Sequence, residues 1–81
     1  MEKINGSPPV VAVTPSDSTI YDPPLTGLRV GTTAGDIAVR SGGSDVTILN
    51  VQVGETIPGE FNMVYSTSTT AVGITGWQWD S

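Results

Sequence analysis

The sequence contains no cysteine and no histidine, and its only bases are Lys3, Arg29 and Arg40. Each absence closes a class of chemistry. Without cysteine there is no thiol nucleophile, no disulfide and no thiolate zinc site; without histidine, the side chain that most often moves protons near neutral pH is missing. Serine and threonine hydroxyls therefore have no imidazole to activate them, and Lys3, close to the chain start, is a poor base for a Ser-Lys dyad. An enzyme is not expected. Eight acids against three bases leave a net charge of −5 and no basic patch to grip a phosphate backbone, so nucleic acid is not expected as a direct partner. No apolar run approaches the ~18 residues of a spanning helix, and no membrane contact is expected. The start, Met1 to Gly6, lacks the charged and apolar regions of a secretory signal, so the chain is expected to be made and kept in a cytosol. Without such a signal the Asn5-Gly6-Ser7 sequon carries little meaning.

Helix formers are scarce too. Leucine and alanine together number seven, whereas valine, isoleucine and threonine number 27 of the 81 residues. That balance favours strand, and ten glycines and six prolines supply breaks between short strands. Almost no helix is expected.

The remaining chemical candidates are weak. Asp36 with Asp45 has the residue types of a glycosidase pair, but both flank hairpin turns and read as solvated charges. Gly31 to Asp36 is glycine-containing but lacks the lysine and the following helix of a phosphate loop. Ser41 to Asp45, and Asp17 with Asp22, offer oxygen ligands without spelling out the six to eight that calcium takes. No cofactor and no metal site is expected.

Three regions follow from the order of residues. Residues 1–25 hold five of the six prolines around the apolar run Val10-Val11-Ala12-Val13, and read as an extended N-terminal arm able to supply at most an edge strand. Residues 26–76 alternate with period two: Leu28 and Val30, Ile37 and Val39, Val46 and Ile48, then Val51 and Val53, then Phe61, Met63 and Tyr65, then Val72 and Ile74. The joints Thr32 to Gly35 and Ser41 to Ser44 suit hairpins, so the first three strands are expected to form a meander. About six short strands make an all-β fold, a small antiparallel sandwich or barrel. Residues 77–81 form an aromatic C-terminal tail.

About a dozen Val, Ile and Leu plus Phe61, Met63 and Tyr65 make a thin core for a chain this short, with no disulfide or metal to supplement it. The chain is therefore expected to be ordered chiefly within an assembly, as a homo-oligomer, with its arm and tail reaching neighbours. Trp77 and Trp79 face the same way in an extended chain. They either fold back over an open end of the barrel, anchor in a neighbouring subunit, or offer a stacking platform to carbohydrate together with Tyr21. The candidate interface residues are Pro8, Pro9, Val11, Val13, Tyr21, Pro23, Pro24, Trp77 and Trp79.

Several segments resemble a known family. Pro23-Pro24-Leu25-Thr26-Gly27-Leu28-Arg29-Val30-Gly31, Ala34-Gly35-Asp36-Ile37-Ala38-Val39, Gly43-Ser44-Asp45-Val46-Thr47-Ile48, Gly54-Glu55-Thr56-Ile57-Pro58 and Thr69-Thr70-Ala71-Val72-Gly73-Ile74 occur in an order similar to that of the small spike-base proteins of gene transfer agents and related tailed phages. The resemblance spans roughly Thr14 to Ile74; the proline-rich start and the Trp77 to Ser81 tail depart from it. It implies a virion structural protein, assembled in the cytoplasm of a host bacterium, that joins the shell to a spike or fibre at a capsid vertex. Capsid or other virion proteins would be its partners. A shell-decorating or tail-associated position, or a carbohydrate-binding β-module, would use a similar fold.

Overall fold

Alternating β-branched residues broken by glycine form seven strands and no helix in the computed structural model, which describes residues 9–79; Pro8 and the last two residues of the tail lie outside them. The strands are β1 (Val10–Ala12), β2 (Leu25–Thr33), β3 (Gly35–Ser41), β4 (Ser44–Val51), β5 (Thr56–Phe61), β6 (Met63–Val64) and β7 (Val72–Gln78). They make two antiparallel sheets, a larger one in the order β1-β7-β2-β5 and a smaller one in the order β4-β3-β6. Leu25, Leu28 and Val30 of β2 meet Ile37 and Val39 of β3 in the shared core, all of them 0–1% exposed. The fold is the small all-β sandwich that the composition favours.

The first three strands do not form a meander. β3 and β4 are a hairpin, with Ser41 opposite Ser44 and both Gly42 (φ 59) and Gly43 (φ 86) in the left-handed region that a two-residue turn demands. β2 and β3, however, lie in different sheets. The joint between them is a corner because the start of β3 bonds elsewhere: Thr70 and Ala71 donate their N–H groups to the Asp36 carbonyl at 2.8 and 3.2 Å. Only glycine fits at position 35, where a β-carbon would stand 2.5 Å from Thr70 Oγ1 and 2.7 Å from Ala71 N.

Two other expected strands are divided. The segment around Val51 and Val53 ends as a strand at Val51, after Asn50 at φ 58, and turns through Gly54 at φ 86 with the Glu55 N–H on the Gln52 carbonyl. Phe61 closes β5 in the larger sheet while Met63 opens β6 in the smaller one, so this chain also turns a corner and leaves Tyr65 outside any strand. In β7, Gly73 at φ 77 interrupts the alternation: Ile74 is buried whereas Val72 is 51% exposed.

Candidate functional site

A sandwich has four sheet edges, and an unpaired edge is a ready template for another chain. Two of the four are closed. Along β6 the segment after β1 supplies backbone donors, Ser16 N–H to the Val64 carbonyl at 2.8 Å and Tyr21 N–H to the Asn62 carbonyl at 2.7 Å. Asp17 ties the same segment down by accepting from Ser66 N–H at 3.0 Å, Thr67 N–H at 3.1 Å and the Thr67 hydroxyl at 2.6 Å. These donors, Thr67 first, hold its carboxyl below the usual carboxylate range. Along β5, Pro58 has no N–H to offer, and the Glu60 carbonyl already accepts the Ser41 hydroxyl at 2.6 Å.

The other two edges, β1 and β4, have no partner among the described residues. In β1 the Pro9 carbonyl and the Val13 N–H bond into β7 through Gln78 and Ile74, so alternation turns the polar groups of Val10 and Ala12 outward. In β4 the hairpin makes Ser41 and Ser44 the first bonded pair, and the backbone groups of Asp45 and Thr47 therefore point away from β3. β4 is exposed on both faces at every position except Ile48 and Val51. Val46 is 48% and Leu49 65% exposed. Asp45, its only charge, accepts the Tyr65 hydroxyl at 2.7 Å, a bond that raises the Tyr65 phenol above its ordinary value.

The outer face of the larger sheet carries a second surface. Val10, Trp77, Gly27 and Pro58 are register partners in sequence across β1, β7, β2 and β5. They face away from the core, since their neighbours Gly76 and Leu28 face into it. Trp77 lies over Gly27 and is half-buried; Trp79, just past the end of β7, is 37% exposed.

The candidate interface residues divide between interior and surface. Val13 is 6% exposed and belongs to the core, and Val11 and Tyr21 pack against it. Pro9, Pro23 and Gln78 meet at the end of β7: the Pro9 carbonyl accepts Gln78 N–H at 3.0 Å and the Pro23 carbonyl accepts Gln78 Nε2 at 2.8 Å. Pro24 is half-buried beside them in sequence, and Pro8 lies outside the described residues. Tyr21 on the core and Trp77 on the outer sheet face do not form one aromatic platform. The edge of β4 was missed by the alternation of Val46 with Ile48, which reads as one buried face; Leu49, an apolar residue outside that alternation, is the signal that the strand leaves apolar groups uncovered. Among the described residues no group of three acidic side chains could hold a metal ion.

No family model and no curated protein sequence matches the chain. A solved structure does: a chain from the capsid of a native GTA (gene transfer agent) particle, computed with C5 symmetry, is 34% identical, with a TM-score of 0.75, over 89% of this chain and 83% of that one. Likeness at that identity over most of both chains extends to the sequence as well as the fold, and it supports a virion structural role. The chain belongs to the family of that gene transfer agent capsid protein.

Proposed function

We propose that this protein is a spike base: a small β-sandwich seated at a capsid vertex that joins the shell to a spike or fibre by non-covalent contacts, as a ring of copies of itself. The observation that carries the reading is the 34% identity to a chain of a gene transfer agent capsid; the vertex position within it is what the resemblance to spike-base proteins implies. Two open sheet edges and an exposed Trp79 are surfaces of the kind that such joints use. A cyclic arrangement would cover the apolar side chains that this small core leaves wet. Cryo-electron microscopy of the source particle tests the reading. Density for this chain around the vertex, beneath a spike, is the expected result; density on the flat shell faces or in the tail would overturn it.

A further inference from the structure

We propose that the open edge of β4 receives β1 of a second copy of this chain, so that the smaller sheet of one protomer continues into the larger sheet of the next. The inference rests on the ring reading above and specifies which strands make the joint. β5 is blocked by Pro58 and β6 is covered by the segment through Ser16 and Tyr21, which leaves, among the described residues, one open edge in each sheet. β4 is lightly protected: it runs eight residues without proline or lysine and exposes Val46 and Leu49, its one charge is Asp45, and its bulge lies at the far end, after Ile48. β1 presents the outward polar groups of Val10 and Ala12, with Val10 62% exposed. Pairing β4 with a second β4 would stop at two copies and leave every β1 edge open. Pairing β4 with β1 uses unlike surfaces, repeats head to tail, and consumes both edges of every copy when the ring closes.

Because the chain has no cysteine, disulfide trapping reads this contact cleanly. Ala12→Cys is combined in turn with Asp45→Cys, Val46→Cys, Thr47→Cys and Ile48→Cys in the full chain, oxidised, and run on denaturing gels. The expected result is a ladder of linked copies that peaks at alternate positions of β4, the period of a paired strand, with neither single cysteine linking alone. Thr47→Pro, which removes an outward N–H and no bond of the β3–β4 ladder, should abolish rings in mass photometry while circular dichroism retains the sheet signal. Three outcomes would overturn the inference. Rings that form without any β1–β4 linkage would refute the joint and leave the ring reading intact. Dimers from Thr47→Cys alone would show β4 paired with itself. A chain that stays single both in solution and in the particle would refute the ring and the joint together.

Discussion

The indole of Trp77 lies against the α-carbon of Gly27, its register partner on the neighbouring strand: a β-carbon at Gly27 would stand 3.1 Å from Trp77 Cε3 and 3.3 Å from the Ile57 carbonyl oxygen. The missing side chain gives the ring its seat on the sheet. Gly27→Ala should displace the ring and cost about 1–3 kcal/mol, since the Ile57 backbone cannot yield. Urea midpoints, read with Trp77 emission in a Trp79→Phe background, check this; an unchanged midpoint and spectrum would refute the seat.

Gly35 is the tighter case. A β-carbon there meets not only Thr70 Oγ1 but backbone of the 70–71 segment at 2.7–2.9 Å, which no side-chain rotation relieves. Gly35→Ala should destabilise by about 3 kcal/mol, the upper end of overpacking costs. Gly42→Asn is the contrasting substitution: space around it is open, its φ is 59, and asparagine tolerates that region, so stability should change by less than about 0.5 kcal/mol. Parallel thermal melts of the two variants separate a corner that requires glycine from a turn that merely favours it.

Asp17 links the first segment to the loop at Ser66 and Thr67. Its carboxyl is held below the ordinary 3.8, so the stability it supplies is complete above that value and is lost as pH falls through the lower, folded value. Asp17→Asn should lower the melting temperature at pH 7 and flatten its fall between pH 4 and the acid limit, about the window in which a depressed carboxylate takes up its proton. Equal melting curves for wild type and variant at every pH would show that the clamp contributes nothing.

The Asp45–Tyr65 bond makes a separate spectroscopic prediction. With the hydroxyl donating to Asp45, Tyr65 ionises above its ordinary 10.0. In a Tyr21→Phe background, ultraviolet titration should move toward that ordinary value on Asp45→Asn; an unmoved curve would argue against the bond in solution.

Trp79 tests the aromatic tail. It lies outside the core cluster but is only 37% exposed, so Trp79→Phe, which keeps an aromatic ring on the covered surface, should leave the melting temperature within about 2 °C while reducing incorporation of the chain into particles several-fold. Particle composition by mass spectrometry measures the loss. Normal incorporation would exclude Trp79 from the joint.

Much of this molecule is legible from residue order because strand formation is local. The β3–β4 hairpin follows from Gly42-Gly43 between alternating apolar residues, and the edge position of β1 from the prolines that precede it. The burial of Val13 and the partial burial of Tyr21 were not legible, since an exposed arm and an irregular segment packed on the core have the same composition.

The amino-acid order alone determined that this chain is all-β, that it has neither cysteine nor histidine, and where its tightest turn falls. Sheet membership was decided only in three dimensions. Whether β2 pairs with β3 depends on Asp36 meeting Thr70 and Ala71, residues more than thirty positions away, and whether an edge is open depends on which distant segment lies against it. A hydrogen bond carries no mark in the sequence of its partner, so local pattern specifies the strands while long-range closure selects which of their edges remain free to meet another molecule.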